Sequence, residues 1–335
     1  MLGSFGYAFN AVMPVVVLIA LGYVLKRIGM FNDVFLKTAN RMVFRVALPA
    51  LLFCNVYSIQ DFGLIRWTVV LYGCFAVFVL FLLGWISVVL LIRDSRQKGV
   101  ALQCAFRSNY AIIGLAFAQS IGGEAAAGSV AVLSAFAIPL FNILAVISLS
   151  AFCKEEERRS AFRTTLVKII ANPLVLGCLA GFAALLIRSL LPVDESGRPV
   201  FLISQNLPFL YNAISSLGKL ASPLALLVLG GQFSFHAAEN LRFQLAVGTL
   251  WRIVLAPVLG IGGAVLLASR LSFGPADFAS YIGLFGSPLA VSAAVMASEM
   301  GSDEQLAGQY VVWTSIGSVA TVFLTIVLLK GTGFL

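Results

Sequence analysis

Four basic residues lie inside long apolar segments of this sequence: Arg45, Arg107, Lys219 and Arg252. An ionisable side chain at the centre of a bilayer costs about 2.5–3.5 kcal/mol on insertion scales, so each of these positions suggests a function. The acidic residues lie almost entirely in loops or at the ends of apolar segments. Fixed positive charge without central carboxylates favours an anion as ligand over coupling to a proton or a sodium ion. These residues therefore predict a site for a small organic anion.

Sequence patterns typical of catalysis, metal binding or nucleic-acid binding are absent. The single histidine is His236, the five cysteines show no CxxC spacing, and no GxxxxGK[ST], HExxH or GxSxG motif occurs. We therefore predict a protein that is not an enzyme and that carries no metal or other cofactor. The net charge of +8 does not indicate a nucleic-acid partner, because the basic residues lie mainly in short loops between apolar segments.

The composition indicates a protein that lies in the lipid bilayer. Of the 335 residues, 60% are hydrophobic and 11% charged, whereas soluble domains carry about 45–50% apolar and about 25% charged residues. A helix needs about 20 apolar residues to cross the roughly 30 Å hydrocarbon core of a membrane. We predict an all-α integral membrane protein with ten transmembrane helices, at residues 8–27, 35–57, 66–92, 99–120, 125–152, 164–189, 205–231, 241–268, 275–298 and 304–330.

The loops between these spans differ in positive charge. Thirteen Lys and Arg residues lie on one side of the membrane, and five lie on the other: Arg66, Arg188, Arg198, Arg270 and Lys330. Because cytoplasmic loops carry the excess of Lys and Arg, both termini are predicted to lie outside the cytoplasm. Residues 154–163 then form a charged cytoplasmic connector.

The two halves of the chain resemble each other. Pro14 is followed eight residues later by Gly22, and Pro173 is followed eight residues later by Gly181. Similar segments also follow the fourth and ninth spans, at residues 121–128 and 300–308. Because five is odd, the second half must enter the membrane from the opposite face, which is typical of the inverted repeats of secondary transporters. The predicted repeats are residues 1–153 and 164–335.

The fourth and ninth spans are the least apolar, and both contain residues that can interrupt a helix. In the ninth span a proline removes a backbone donor and a glycine relaxes the chain just before it. Broken helices of transporters line the substrate site, and the amides at a half-helix N-terminus attract an anion. We expect the substrate to bind beside these two broken helices, at Arg107, Asn109, Gly114, Gly286, Ser287 and Pro288.

Two further polar residues are candidates for the same site. Asn142 follows a proline in the fifth span, and Ser215 lies in the seventh span. The alternative is that such groups form hydrogen bonds between helices, which average about 0.6 kcal/mol.

The four basic residues also have structural interpretations. Arg107 could extend its charge to the lipid headgroups, and Arg45 and Lys219 could anchor their helices at the membrane interface. Arg252 could be neutralised by backbone carbonyls. Among the four, Arg107 is the strongest candidate for attracting an anion, because it lies two residues before Asn109.

At these residues the chain resembles the auxin efflux carrier family. The resemblance is carried by the segments 107–117 (RSNYAIIGLAF), 172–182 (NPLVLGCLAGF), 222–234 (SPLALLVLGGQFS) and the stretch from Ser287 (SPLAVSAAVMASEMGSDEQLAG). It covers nearly the whole chain. It implies two inverted five-helix repeats, with scaffold spans 1, 2, 6 and 7 and transport spans 3–5 and 8–10. It also implies that the broken spans 4 and 9 cross beside the substrate and that the transport spans make an elevator-like movement.

The resemblance also implies roles for single residues. Asn109 matches the asparagine that contacts the substrate carboxylate in plant relatives, whereas Ala116 stands where the family often has a proline. This difference predicts a weaker break in the fourth span than in the ninth. The long cytoplasmic loop of many plant relatives is missing, which favours a bacterial transporter of the cytoplasmic (inner) membrane. By analogy with the family, a homodimer is plausible.

The sequence thus predicts a secondary transporter that exports a small organic anion, such as an auxin-like acid, malate or malonate. Two alternatives stay open. One is a sodium- or proton-coupled uptake carrier for organic anions, and the other is a membrane receptor that transports nothing.

Overall fold

A computed structural model describes residues 2–58, 66–110, 115–152, 171–192, 200–233 and 240–335, without the side chains of residues 2–12, 15, 115–128 and 131. Helices account for 85% of the structure, and the described residues contain no β-strand. The predicted all-α class is therefore confirmed. A single β-bridge, between Ser108 and Leu289, occurs among these residues.

The helices are numbered here along the described chain. They are α1 (Leu2–Arg27), α2 (Asp33–Tyr57), α3 (Trp67–Leu91), α4 (Ser95–Phe106), α5 (Leu115–Ala151), α6 (Pro173–Leu190), α7 (Pro208–Gln232), α8 (Arg242–Leu271), α9 (Pro275–Tyr281, continued by a π-helical turn, Ile282–Gly286), α10 (Val291–Glu299) and α11 (Glu304–Gly331). A short helix, Ile203–Asn206, precedes α7. Seven segments of the described chain are long and apolar enough to cross a membrane: α2, α3, Val132–Ala151 of α5, α6, α7, α8 and α11.

Four helices begin at a side chain that caps them. The carboxylate or amide oxygens of Asn32, Asp94, Asn172 and Asp303 accept a backbone N–H from the first turn of α2, α4, α6 and α11, respectively. Such a cap satisfies one of the four amides that a helix leaves without a partner at its start.

One predicted helix boundary is wrong. The fourth and fifth spans were separated at residues 121–124, but α5 runs without interruption from Leu115 to Ala151. The segment contains three consecutive alanines, residues 125–127, and alanine is the strongest helix former. This propensity outweighs the two glycines at positions 122 and 123. The ninth span, in contrast, is divided into α9 and α10.

Glycines bring α1, α2, α6 and α7 into close contact. A Cβ atom added at Gly22 of α1 would collide with the carbonyl group of Leu227 in α7. One added at Gly177 of α6 would lie 2.7 Å from Cα of Pro49 in α2. One added at Gly218 of α7 would lie 2.9 Å from Cα of Leu51, also in α2. These four helices therefore pack backbone against backbone, and we call them the first helix group.

The other helices are joined by side-chain hydrogen bonds as well as by packing. Tyr72 of α3 donates its hydroxyl to the carbonyl oxygen of Gly260 in α8 (2.5 Å), and Trp251 of α8 donates to Ser87 Oγ of α3 (2.8 Å). The guanidinium of Arg66, just before α3, contacts the buried carboxylate of Asp277 in α9 at 2.6 Å. We call α3, α4, α5 and α8–α11 the second helix group.

Candidate functional site

The backbones that follow two interrupted helices, α4 and α9, run antiparallel beside each other. α4 ends at Phe106 and α9 at Gly286, and extended backbone follows in both. The N–H of Asn109 donates to the carbonyl oxygen of Pro288 over 2.8 Å, beside the bridge between Ser108 and Leu289. The two interrupted segments therefore supply hydrogen-bond partners to each other's backbone groups. Buried broken helices need such partners, because their backbone groups lack the bonds of a continuous helix.

The interruption after α9 follows from its own residues. Pro288 has no N–H to continue a helix, and the Ser287 hydroxyl donates to the carbonyl oxygen of Gly283 in the last turn. The N–H of Leu289 donates to Thr314 Oγ1 of α11 (3.0 Å). The predicted break at Gly286 and Pro288 is confirmed, and α10 starts three residues after the proline.

The interruption after α4 does not begin at a glycine or a proline. Residues 100–113 contain neither glycine nor proline, yet α4 ends at Phe106 and residues 107–109 are extended. The expectation of a weaker break in the fourth span, drawn from Ala116, stays a prediction, because residues 111–114 lie outside the described part of the chain. The next residue, Arg107, holds this segment in place through its side chain.

Arg107 is 2% exposed and joins three helices. Its Nη1 donates to Gln103 Oε1 of α4 (2.7 Å) and to Met296 Sδ of α10 (2.8 Å). Its Nη2 donates to Asn142 Oδ1 of α5 (2.8 Å) and to Ser292 Oγ of α10 (2.9 Å). Arg107 therefore does not extend toward a lipid headgroup; it fastens the start of the break to α5 and α10.

All four acceptors of Arg107 are electrically neutral. The ion pairs recorded among the described residues, Lys26 with Asp33 and Arg66 with Asp277, lie elsewhere. A buried charge without an opposite charge is unfavourable, because hydrogen bonds to neutral groups replace only part of its hydration. An anion bound nearby would supply the missing charge.

A cavity of about 60 Å³ lies beside these antiparallel backbones. Its polar lining comes from the second helix group and consists of Arg107, Ser108, Asn109, Asn142 and Ser292. The first helix group contributes a surface that we call the apolar wall; it consists of Leu48, Leu51, Leu52, Leu174, Ala221, Ser222 and Ala225. Charge and hydrogen-bonding groups are thus concentrated on one side, and Ser222 is the one polar residue of the wall.

Two polar atoms of this lining have no hydrogen-bond partner among the residues that the structure describes. They are Asn109 Nδ2 and Ser108 Oγ, and both are buried. A buried donor without a partner is unfavourable by about 1–3 kcal/mol, so such a group indicates a missing ligand or water. The N-terminus of α10 meets the cavity at Val291, and its partial positive charge also favours an anion.

The predicted site residues fall into three sets. Arg107, Asn109 and Asn142 line the cavity together. Gly286, Ser287 and Pro288 are buried and shape the break, but they are not part of the cavity lining. Ser215 is partly exposed on α7 and is also not part of the lining, and Gly114 lies outside the described residues.

Three partners of Arg107 were not predicted. Gln103 precedes Arg107 by one helical turn, so the spacing of four residues could have identified it. Ser292 and Met296 lie 185 and 189 residues away along the chain. No local pattern reveals contacts over such a separation.

The other three basic residues that lie inside apolar segments are not part of the cavity lining. Arg45 and Lys219 are exposed on α2 and α7, as expected of interfacial anchors. Arg252 of α8 is fully buried, and its Nη2 donates to the carbonyl oxygen of Phe285 at the end of α9. The expectation that backbone carbonyls neutralise Arg252 is thus confirmed in part, because its Nε and Nη1 have no partner among the described residues.

Several apolar helices around a buried polar cavity define a multi-pass membrane transport protein. Residues 7–326 match a family model described as membrane transport protein, and the chain belongs to this family, the auxin efflux carrier family. This is a family of transporters and not of enzymes, so a lipid bilayer and a small-molecule substrate are implied. No curated protein matches the sequence.

Proposed function

We propose that this protein is a secondary transporter that exports a small organic anion across the bacterial inner membrane. The proposal rests on the neutral surroundings of Arg107 in a cavity where Asn109 Nδ2 has no partner among the described residues. A carboxylate placed there would accept from Asn109 and Ser108 and would balance the charge of Arg107. Charge-assisted hydrogen bonds of this kind are among the strongest that proteins make.

The cavity favours a monocarboxylate with an apolar body. The described part of the lining holds one cation, and its apolar wall offers no donor for a second carboxylate except the hydroxyl of Ser222. Burying an unpaired carboxylate is strongly unfavourable, whereas an aromatic or branched body would gain by contact with the leucines. Malate and malonate are therefore expected to be poorer substrates than an arylacetate.

The size of the cavity indicates that the site opens during transport. Its volume of about 60 Å³ is far below the roughly 300–1,000 Å³ of ordinary small-molecule pockets. We propose that the second helix group, which holds the polar lining, slides as a unit along the apolar wall. Among the described residues the apolar wall makes no hydrogen bond to the second helix group, which suits such movement; elsewhere Asn40 of α2 donates to Glu299 of α10 (3.3 Å), and this bond would have to break. The arrangement fits an elevator-like mechanism built on two inverted five-helix repeats.

The membrane potential is sufficient to drive export of a monoanion. One charge leaving an inside-negative cell gains about 2.3 kcal/mol per 100 mV. A tenfold gradient opposes this by about 1.4 kcal/mol. No coupling ion is therefore needed.

The proposal can be tested by flux measurements in proteoliposomes. We expect radiolabelled phenylacetate to move faster than radiolabelled malate or malonate, and its net flux to follow a potential set by potassium and valinomycin. Asn109→Ala should abolish the flux, and Ser215→Ala should leave it unchanged. Electrically silent flux that strictly requires a proton gradient would contradict the mechanism. Absence of flux for every tested anion would contradict the function.

A further inference from the structure

We infer that Arg107 gives the substrate-free transporter a positive charge that crosses the membrane field, so that reorientation of the empty protein responds to voltage. The inference rests on the proposed function, because it requires the site to reorient between the two sides. It concerns a step in which no substrate is present, and it can therefore be tested separately.

The first support is that the charge of Arg107 is not cancelled by its surroundings. The guanidinium is 2% exposed, and its four acceptors are an amide oxygen from each of Gln103 and Asn142, a hydroxyl and a thioether. None of these groups carries a charge. Arginine stays protonated in proteins, so the positive charge remains when the substrate leaves.

The second support is that Arg107 is fixed to the site and not to the apolar wall. Its acceptors lie on α4, α5 and α10, which all belong to the second helix group. Asn109 follows two residues later and is fastened to α9 and α10 through Pro288. A movement that carries Asn109 from one side to the other must therefore carry Arg107 with it.

The two reorientation steps of the transport cycle therefore move different amounts of charge. A bound monoanion cancels the charge of Arg107, so this residue adds no net charge to the loaded step. The empty site returns with the full positive charge, and the sum over the cycle is still one negative charge exported. A unit charge that crosses the whole field changes the ratio of the two orientations about 50-fold per 100 mV. Inside-negative voltage thus favours the return of the empty site.

Arg252 is the second buried cation of the same helix group. It is fully buried on α8 but does not line the cavity, so a substrate carboxylate cannot cancel its charge. If Arg252 moves through the membrane field, it carries the same charge in the loaded step as in the empty step. Arg107 alone distinguishes the two steps.

The test is a measurement of transient currents in voltage-clamped cells that express the protein, with chloride as the sole anion on both sides. We expect the wild-type protein to give a charge movement that saturates at both voltage extremes and returns equally when the step ends. The key variant is Gln103→Glu, because it places a carboxylate on the atom that already accepts from Arg107 at 2.7 Å. The change also removes Gln103 Nε2, a buried donor without a partner among the described residues, so folding should be preserved.

Gln103→Glu should reduce the charge moved per molecule by half or more, and Arg107→Gln should do the same. Arg107→Lys, which keeps the charge, should retain it, and so should Lys219→Gln on exposed α7. Equal charge movement in wild type and Gln103→Glu would overturn the inference. So would the absence of a transient from a wild-type protein that carries phenylacetate flux, and that outcome would leave the proposed function intact. Transients without flux of any organic anion would instead contradict the proposed function.

Discussion

The two breaks at the cavity interrupt their helices by different means. After α9, a glycine and a proline end the helix, so the cause lies within the segment itself. After α4, residues 107–113 contain neither glycine nor proline, and Arg107 holds the extended backbone through acceptors on three helices. A helix can thus be interrupted either by its own backbone chemistry or by a side chain anchored elsewhere. The second kind of break depends on the rest of the fold.

Arg107→Leu should have the largest effect, because it removes the anchor of the second kind of break. Gln103, Asn142 and Ser292 would each lose a charged donor, at about 1–3 kcal/mol per buried group, while the removal of an uncompensated charge offsets part of this loss. We expect a net loss of about 3 kcal/mol and no flux. Thermal unfolding in detergent is the measurement, with Arg45→Leu, at an exposed position, as control. An unchanged melting temperature would show that α4 is interrupted without its anchor.

Asn109→Ala should separate binding from folding within the same break. Its Nδ2 has no partner among the described residues, and its backbone N–H keeps the bond to Pro288. Loss of a hydrogen bond to a carboxylate weakens affinity by about 1.5–3 kcal/mol, or about 10- to 150-fold. The stabilisation of the protein by added phenylacetate should disappear, while the melting temperature without ligand should change little. A large fall in that temperature would assign Asn109 a structural role instead.

Thr314→Val tests how the break after α9 is supported from outside. The substitution keeps the shape of the side chain but leaves the N–H of Leu289 buried without its acceptor. We expect a loss of about 1–3 kcal/mol in chemical unfolding. Ser318→Ala is the matched control on the same helix, because that hydroxyl donates only within α11, to Ser315, and its loss should be smaller. Equal effects of the two variants would mean that Leu289 is satisfied in another way.

Pro288→Ala should have the smallest effect. The proline restricts the unfolded chain, and its loss typically lowers stability by about 0.4–1 kcal/mol. The break should persist, because Gly286 and the hydrogen bond from Ser287 to Gly283 remain within the segment and Leu289 still donates to Thr314. Flux measurements should show a functional transporter. Complete loss of flux would indicate that the proline itself keeps α9 and α10 apart.

The part of the fold that follows from local chemistry could be predicted, and the part that depends on distant contacts could not. Composition predicts the all-α membrane class, and Pro288 with Gly286 predicts the division of the ninth span. The end of α4 at Phe106 depends on a side chain whose acceptors include groups 185 and 189 residues away, and no local pattern reveals such contacts.

The candidate site shows the same limit. Arg107, Asn109 and Asn142 were predicted from residue type and position, and all three line the cavity. Ser215 was predicted in the same way but lies outside the lining, because the rotation of a helix around its axis decides which residues face a cavity. An apolar composition on all sides of a membrane helix hides that rotation, so the hydrophobic pattern could not correct the expectation.

The backbone contact between α1 and α7 makes these helices a natural reference frame for distance measurements. At Gly22 the backbone of α1 contacts the backbone of α7 directly, so no side chain lies between them whose rotamer could change the spacing of the two helices. Spin labels at Val24 and Leu217, which are 50% and 38% exposed, should therefore keep a constant separation in every state. Any change measured from them to a third label on α4 or α10 then reports displacement of that label alone.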